Sequence, residues 1–436
     1  MCCQMMGINK KFHRLVKPES ILPLVVFRIA FGIITAIASI RFWAKGWIEE
    51  LYLKPDFHFH YWGFNWINVP SESLVYALFI VKIVLSILIA LGLFYRIATV
   101  LFFLTFTYIE LFDKALYLNH NYLVCLLALY LIFLPAHKYF SVDAYRGKCE
   151  TQPEVPNVYL LVIKLQLAMV YFFAGLAKLN ADWLINSQPL NIWLKTKTET
   201  PYIGSLFELN SIALIMCWSG MIFDLAIPFL LFNKKTRKWA YGLLVSFHLM
   251  TAILFPIGMF PWIMIFSTLI FFDFKKSSQR MEDPKAKTSL KLSPAQIALM
   301  ALIIVQLILP LRHLFYSGNS TWHEVGFRYS WKVMKVEKTG AIEFVCFDPQ
   351  TNRKWIISPK EYLTPLQEMQ MSYQPDMILE FSEHLSKVYG GKIEIHADSW
   401  VSMNGRNPQR YVNENIDLAK LDNISPGQWI YPMREE

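Results

Sequence analysis

Residues 158–179 read VYLLVIKLQLAMVYFFAGLAKL, an apolar stretch that decides the architecture of the chain. It is long enough for one helix to cross a bilayer, which takes ~20 predominantly apolar residues. The stretch nevertheless contains Lys164 and Lys178. A charged side chain within a bilayer is costly unless it faces the interior of a helix bundle. We therefore expect this segment to be one helix of a multi-helix membrane domain.

Further apolar stretches lie on both sides of this one. They occur at 21–43, 73–94, 97–113, 122–136, 211–233, 238–256, 257–273 and 294–311. The stretch at 122–136 is short for a span, and we include it because its neighbours are predicted helices. The sequence thus predicts an all-α polytopic membrane bundle of about nine spans.

The distribution of charge divides the chain into three parts. Charged residues make up only 17% of the 436 residues, whereas soluble domains have about 25%. They are sparse from about residue 21 to 310 and dense after it. We predict a cytoplasmic segment at 1–20, a transmembrane domain at 21–311 and an extramembrane domain at 312–436.

Lysine and arginine clusters predict the orientation. They occur in segments 1–20, 138–148, 233–238 and 275–291, which alternate with nearly balanced loops. Cytoplasmic loops are enriched in these residues. The N-terminus is therefore predicted in the cytoplasm, without a cleaved signal peptide, and the C-terminal domain in the ER lumen or in the periplasm or cell exterior. The same clustering argues against nucleic-acid binding, despite the net charge of +9.

The region after residue 311 is predicted to be a small β-rich domain with a helix. Alternating apolar and polar residues indicate strands. The predicted strands are 329–336, 341–347, 354–357, 392–396 and 400–403, with a turn at 348–352 and a helix at 365–389. Asn319 and Asn423 begin glycosylation sequons, usable only if the host glycosylates.

The cysteines indicate neither a disulfide scaffold nor a zinc site. They are Cys2, Cys3, Cys125, Cys149, Cys217 and Cys346. No CxxC pair or regular spacing occurs among them. Lipidation of Cys2 and Cys3 is a minor alternative. No metal site is predicted.

Ionisable residues within the predicted spans form a short set. They are Arg28, Lys82, Asp113, Lys164, Lys178, Asp224 and His248. Such groups are by default functional or paired. Asp224 falls in the inner half of its span, and we expect it to be structural, with Lys164 or Lys82 as its partner.

Lys178 is the candidate catalytic base. Lys164, Tyr171 and Lys178 share one stripe of the helix, with the two lysines within about 40° of the same face and roughly 21 Å apart. Lys164 is near the inner end, where a long side chain can reach the interface. Lys178 is near the outer end beside Gly175, which lets another helix approach closely. Burial favours the neutral amine, which can act as a base near neutral pH.

Two histidines are predicted at the same outer end. His120 lies in a short outer turn and His248 in the outer half of span 238–256. Either one alone is more often a hydrogen-bonded core residue. Convergence of both with Lys178 indicates a polar site.

The first outer loop, 44–72, is rich in aromatic side chains. It includes His58, His60, Tyr61, Trp62, Phe64 and Trp66. Because Tyr and Trp favour the headgroup level, an interfacial belt is one interpretation. A lid over a lipid-like ligand is the other.

An ordered set of motifs resembles the vitamin K-dependent γ-glutamyl carboxylase family, whose membrane part is the HTTM domain. The set comprises Gly92-Leu-Phe-Tyr-Arg-Ile97, Asp113-Lys114 with Asn119-His120, Phe140-Ser-Val-Asp143, Ala174-Gly-Leu-Ala-Lys-Leu-Asn-Ala-Asp-Trp183, Phe247-His248 with Ile257-Gly-Met-Phe260, Gln306-Leu-Ile-Leu-Pro310, Tyr329-Ser-Trp331 and Trp400-Val-Ser-Met-Asn404. Each motif alone is weak. Their occurrence in family order, from about residue 25 to 420, is specific.

The resemblance implies an enzyme of the membrane with vitamin K hydroquinone as cofactor and O2 and CO2 as co-substrates. In the family a lysine deprotonates the quinol, and O2-dependent epoxidation generates a strong base that removes the γ-proton of a peptide glutamate. CO2 then adds to give γ-carboxyglutamate. By alignment the base falls on Lys178, and a glutamate-containing protein or peptide is the partner.

The Asn119-His120 pair resembles family residues beside the quinone, and we expect both to hydrogen-bond to its oxygens. We also predict His248 and Tyr171 as cofactor-binding residues, and Trp400, Ser402 and Asn404 on the substrate side.

Several departures from the family pattern leave alternatives open. The chain is shorter than the vertebrate enzyme, and its first outer loop lacks the cysteine for the family's inter-domain disulfide. A quinol epoxidase of the same fold, with a different acceptor or none, is the first alternative. A non-enzymatic lipid-binding or transport protein is the second; the hydropathy shows no repeat typical of transporters.

Overall fold

The computed structural model describes residues 15–274, 292–421 and 425–434. Some predictions fall outside these residues: lipidation of Cys2 and Cys3, the basic segment 275–291 and the sequon at Asn423. Within them, a helix lies at each of the nine predicted positions. The helices are α1 (Leu22–Ala44), α2 (Glu72–Leu91), α3 (Tyr95–Glu110), α4 (Asn119–Phe133), α5 (Asn157–Ala177), α6 (Asn210–Phe232), α7 (Arg237–Leu254), α8 (Phe260–Ser267) and α9 (Pro294–Ile308).

Five of these helical segments are long and apolar enough to cross a membrane. They are Leu22–Ala44, Glu72–Leu91, Asn157–Ala177, Asn210–Phe232 and Pro294–Phe315, the last of which combines α9 with a following 3-10 turn. Helix α4 and the segment Phe260–Phe271 are apolar but shorter. The prediction of a membrane bundle is therefore confirmed, whereas the count of nine spans is not.

Two of the predicted motifs meet at one corner of the bundle. The carboxylate of Asp143 accepts hydrogen bonds from the backbone N–H groups of Phe94 and Tyr95, at 3.0 and 2.9 Å, and so caps the start of α3. Arg28 is buried and donates to the carbonyl of Ala136 at 3.0 Å. Gly92 has a φ of +65°, and a Cβ there would lie 2.5 Å from the Arg28 guanidinium. The motifs at Gly92–Ile97 and Phe140–Asp143 thus serve to pack the start of α3 against Arg28 and Asp143.

A short antiparallel pair closes the same end of the molecule. Strand β1 (Pro18–Ser20) pairs with β2 (Glu154–Pro156), with Glu19 opposite Val155. The pairing holds the entry into α1 against the entry into α5.

The C-terminal domain is a four-stranded antiparallel sheet with two helices. The strands are β3 (Lys338–Asp348), β4 (Arg353–Ile357), β5 (Glu394–Met403) and β6 (Gln409–Arg410), in the order β4-β3-β5-β6. The helices are α10 (Pro365–Met371) and α11 (Pro375–Val388). The predicted helix at 365–389 is thus divided, because Pro375 starts a new helix and the residue before a proline is disfavoured in one. The strands predicted at 392–396 and 400–403 form one strand.

The strand predicted at 329–336 is wrong. This segment has no strand structure, and Tyr329, Trp331 and Met334 have φ values of 66°, 56° and 51°. Positive φ is incompatible with a strand. Instead of joining the sheet, the segment enters the membrane domain, where Trp331 is fully buried in the core of the bundle.

The two domains dock through the loops at one end of the bundle, which we call the domain-facing end. Asp113 accepts a hydrogen bond from Gln367 Nε2 at 2.7 Å. Lys114 Nζ lies 3.0 Å from Asp376 and 2.7 Å from Glu380, both on α11. Asp113 also accepts hydrogen bonds from the backbone N–H groups of Phe59 at 3.3 Å and Ala115 at 2.8 Å. The Asp113-Lys114 motif thus serves domain docking.

The first outer loop takes part in the same contact. Phe59 is fully buried in the core of the C-terminal domain, and His60 Nδ1 lies 2.9 Å from Glu380 Oε1. Trp62 and Trp66 are 90% and 72% exposed. The exposed tryptophans fit the interfacial belt, whereas the buried part of the loop is a docking element.

The contact between His60 and Glu380 predicts a pH-dependent stability. The hydrogen bond with Glu380 raises the pKa of His60. The stabilisation from this pair is therefore complete below the ordinary histidine pKa of about 6.5 and is lost as pH rises through the raised pKa.

We expect the melting temperature in detergent to fall between pH 6 and pH 8. His60→Gln should remove part of that fall, which corresponds to a free energy of unfolding of up to ~1 kcal/mol. His396→Gln, a histidine within the sheet, is the control, and an equal pH dependence in all three proteins would contradict the interpretation.

Candidate active site

Lys178 lies immediately after α5, at the domain-facing end of the bundle. Its side chain is buried, with a relative exposure of 6% for the residue. The Nζ atom is 2.8 Å from Asp224 Oδ2 and 3.2 Å from the carbonyl of Ala174. A third neighbour, the carbonyl of Val333, lies at 3.5 Å and comes from the C-terminal domain. The lysine is therefore enclosed by two helices and by the segment that covers them.

The expectation that Asp224 pairs with Lys164 or Lys82 and is remote from the site is wrong. Asp224 is buried and forms an ion pair with Lys178. The bond to Ala174 turns the Lys178 side chain back along its helix by about one turn, which brings Nζ to a deeper level than its own Cα.

Gly175 allows this pair to form. A Cβ at this position would lie 2.8 Å from Leu225 Cγ and 3.0 Å from the Leu225 backbone nitrogen. Helices α5 and α6 can thus approach closely only because residue 175 has no side chain. The close approach expected from the sequence is present, and it brings Asp224 beside Lys178.

The two remaining lysines of interest have other surroundings. Lys82 lies with Nζ 4.0 Å from the centre of the Phe79 ring and interacts electrostatically with Glu110. Lys164 lies 5.8 Å from the Phe271 ring. Neither is paired with Asp224.

A second polar pair continues inward from Asp224. Tyr171 Oη lies 2.7 Å from His248 Nε2, and Tyr171 also interacts electrostatically with Asp224. The Nδ1 atom of His248 is buried without a hydrogen-bond partner in the described part of the chain. Because a buried polar atom without a partner is costly, this nitrogen is a candidate hydrogen-bonding position for a water or for a polar ligand atom.

Phe260 lies between His120 and the pair formed by Tyr171 and His248. The Phe260 ring centre lies 5.8 Å from that of His248 and 6.2 Å from that of His120. The structure thus brings His120, His248 and Tyr171 together along one line of rings.

Asn119 is separated from this group. Its Oδ1 accepts a hydrogen bond from Tyr117 Oη at 3.1 Å, and the residue lines a cavity between the two domains. Asn119 therefore faces the cavity between the two domains, whereas the adjacent His120 packs against Phe260 within the bundle.

Segment 327–334, which we call the cover segment, closes the site from outside. Trp331 packs on Tyr122 with ring centres 5.1 Å apart, and the Tyr329 backbone N–H donates to Tyr117 Oη at 2.7 Å. The left-handed residues bend the segment sharply enough to place Val333 over Lys178. Sequence reasoning missed this role, because the alternating pattern indicated a strand.

Asn404 and Asp182 anchor the chain just after the cover segment. The side chain of Asn404 donates to Asp182 Oδ2 at 2.7 Å and accepts from the backbone N–H of Glu337 at 3.0 Å. Arg406 adds a bond to Asp182 at 2.9 Å. Asn404 is thus connected to the helix turn that follows Lys178.

Trp400 and Ser402 are not brought to the site. Trp400 is 42% exposed, and its contacts are with Asp398 and the Arg410 guanidinium on the sheet. Ser402 donates to the carbonyl of Arg406 at 2.5 Å. Their substrate-side role remains a prediction.

The cavity between the domains has a volume of about 1050 Å³. It is lined by the first outer loop, by the turn before α4, by the cover segment and by the start of α11. Its charged lining residues are Lys114, Arg312, Glu324, Arg328, Lys332, Lys335, Lys338 and Asp376. Basic residues thus outnumber acidic residues in its lining, six to two.

Comparison with known families covers nearly the whole chain. Residues 16–275 match the family described as the HTTM domain. Residues 292–436 match the family described as the vitamin K-dependent gamma-carboxylase, lumenal domain. No solved structure matches the chain.

Proposed function

The chain belongs to the vitamin K-dependent γ-carboxylase family, and we propose on that basis that it carboxylates glutamate side chains of a peptide with the use of vitamin K hydroquinone, O2 and CO2. The observation that carries the proposal is the buried Lys178–Asp224 pair beneath the cover segment. An amine held by a carboxylate in a water-poor site is suited to proton transfer.

The residues around His248 fit an aromatic ligand that carries oxygen at both ends. His248 has a buried ring nitrogen without a partner among the described residues, and Phe260 offers an aromatic surface between His248 and His120. His120 and His248 would hold the hydroquinone, with Tyr171 orienting the His248 ring. When bound, the hydroquinone and O2 supply a base far stronger than any side chain, strong enough to remove a glutamate γ-proton.

The roles of the chain's own residues follow from their contacts. Lys178 Nζ would take up the proton of a bound quinol hydroxyl. Asp224 holds the resulting ammonium group in place. Trp331 and Val333 exclude water, which would otherwise quench a strong base and a carbanion.

The peptide is expected to approach from the cavity between the domains, with Asn119 on its wall. We retain the predicted topology, with residues 1–20 in the cytoplasm, 21–311 in the membrane and 312–436 in the lumen or periplasm. The hydroquinone, being lipid-soluble, would enter from the bilayer. Asn404 would act on the substrate side through the position of the cover segment.

Simultaneous measurement of both products tests the proposal. Purified full-length protein in nanodiscs is supplied with vitamin K hydroquinone, O2, labelled bicarbonate and a glutamate-rich peptide, and we expect epoxide and incorporated carbon together. Epoxide without carbon would replace the proposal with a quinol epoxidase. Neither product, from protein shown to be folded, would leave a non-enzymatic lipid-binding or transport protein.

A further inference from the structure

A groove on the outside of the bundle runs between α1 and α2, at the end opposite the domain-facing end. Its volume is about 900 Å³, and segment 139–145 closes one of its ends. The exposed apolar side chains on its walls are Ile29, Ile33, Ile37, Ile87 and Leu91. On the outside of a membrane bundle, a surface of this composition faces the lipid.

Small residues form the floor of the groove. Gly32 and Ala36 contribute from α1, and Ala90 contributes from α2. A Cβ at Gly32 would lie 2.4 Å from the Ser86 carbonyl oxygen and 2.7 Å from the Ala90 backbone nitrogen, so the two helices approach closely here. The result is a narrow depression with apolar walls, which fits an acyl chain better than a polar ligand.

A single buried cation lies at the end of the groove that segment 139–145 closes. Arg28 is part of the lining and is 1% exposed. Its guanidinium donates to the carbonyls of Ala136 and Phe140, at 3.0 and 2.6 Å. Its Nε atom is buried and has no hydrogen-bond partner in the described part of the chain. A buried donor of this kind is costly to leave unpaired.

The charge of Arg28 is only partly balanced within the protein. Asp143 interacts with it electrostatically, but the two oxygens of that carboxylate accept hydrogen bonds from the backbone N–H groups of Phe94 and Tyr95. Among the residues that the structure describes, no carboxylate forms an ion pair with Arg28. A buried cation is stabilised by an anion that supplies both charge and an acceptor.

The surface beside the groove is also basic. Arg96, Arg146 and Lys148 are exposed, and the last two follow Tyr145 of the groove lining. The Arg146 guanidinium lies 5.9 Å from the centre of the Phe94 ring. In the topology that we propose, this end faces the cytoplasm, where anionic lipids are concentrated and basic pockets between membrane helices bind their headgroups.

We propose that this groove binds one anionic phospholipid, with its phosphate at the Arg28 end and one acyl chain over Gly32 and Ala36. The charge of the headgroup and the apolar chain match the two parts of the groove. The site lies at the opposite end of the bundle from Lys178 and does not depend on the proposed function. A lipid bound there would stabilise the corner at which Asp143 caps α3.

Native mass spectrometry of the full chain tests this site. The protein is released from nanodiscs made of equal parts phosphatidylcholine and phosphatidylglycerol, and the phospholipids that stay bound are identified and counted. We expect the wild type to retain one phosphatidylglycerol with about fivefold preference over phosphatidylcholine. This ratio corresponds to the ~1 kcal/mol that one basic residue near the membrane surface contributes.

Variants of the groove provide the comparison. Ile33→Trp places a bulky ring in the groove without touching Arg28, and it should abolish retention of phosphatidylglycerol. Ile304→Trp is the matched control, because Ile304 is a 56% exposed isoleucine on α9, and it should behave as the wild type. Arg28→Met should remove the preference between the two lipids, and Arg28→Lys should keep most of it.

Thermal melting shows which variants are folded. Arg28→Met leaves two carbonyls without their donor and is the variant most at risk. Ile33→Trp keeps the test decisive in that case, because Ile33 is 48% exposed and its replacement disturbs no buried contact.

Several outcomes would overturn the inference. Equal retention of the two lipids by the wild type would remove the anionic site. Retention of phosphatidylglycerol by Ile33→Trp at the level of Ile304→Trp would place the lipid elsewhere. A wild-type dimer that Ile33→Trp dissociates would show that a second copy covers the groove. Displacement of the phospholipid by vitamin K hydroquinone would assign the groove to the quinol instead.

Discussion

Lys178→Ala should lower epoxide formation by about 10³-fold, the scale of a lost general base. In the wild type the amine lies 2.8 Å from Asp224, beneath the Val333 carbonyl. Alanine removes the amine that takes up the proton of a quinol hydroxyl in the proposed reaction. Epoxide is measured by chromatography after a fixed incubation with hydroquinone and O2.

The folding of this variant needs its own check, because alanine leaves Asp224 as an unpaired buried carboxylate. Loss of one partner of a buried pair costs about 3–5 kcal/mol. The double variant Lys178→Met with Asp224→Asn is neutral and keeps the volume, and it should melt close to the wild type while remaining inactive. Lys164→Ala, on the same helix stripe but beside Phe271, should have a mild effect. Normal epoxide formation by Lys178→Ala would remove the assignment of the base.

Asp224→Asn should reduce epoxide formation by about 10- to 100-fold, the second largest effect that we expect. Asp224 acts as a positioning residue, because it holds Nζ of Lys178, and asparagine keeps the shape while removing the charge.

Thermal melting separates positioning from simple loss of structure. A variant that is only misfolded would lose rate in proportion to its loss of folded protein. Asp273→Asn is the control, because Asp273 pairs with Lys234 and Arg237 elsewhere in the bundle. An unchanged rate in Asp224→Asn would show that the ion pair is not used in the reaction.

The helices were predictable because their signal is local. A run of apolar residues such as 158–179 specifies a helix wherever it packs, and all nine predicted positions are helical. Whether a predicted helix is long enough to cross a membrane is a separate question, because α3 and α8 are helical but short. The helix predicted at 365–389 was broken by Pro375, a signal that is readable in the sequence.

The candidate site was only partly predictable, because distance along a helix is a poor measure of distance between side chains. Lys178 and Asp224 appeared to lie at different depths when each was counted from the end of its own span. The contact depends on the reach of the lysine side chain and on the close approach at Gly175. Neither is visible from the position of Asp224 in the sequence alone.

The cover segment shows a different limit. Residues 329–336 alternate like a strand, but three of them adopt left-handed conformations that cost energy in most residues. The burial of Trp331 in the bundle core and the contacts with Tyr117 and Tyr122 offset that cost. Such contacts join parts of the chain far apart in sequence, and single-sequence patterns carry no information about them.

The cover segment over Lys178 is far from that lysine in the sequence, which has a consequence for biosynthesis. Val333 is 155 residues further along the chain than Lys178, so the ribosome makes Lys178 and Asp224 well before it makes the segment that covers the amine. A nascent or truncated chain would contain Lys178, Asp224, His120 and His248, but without the cover segment Lys178 would be exposed to water. The proposed activity would therefore appear only after the cover segment has folded onto the bundle. Two parts of the chain synthesised separately would recover it only by placing that segment over Lys178 again.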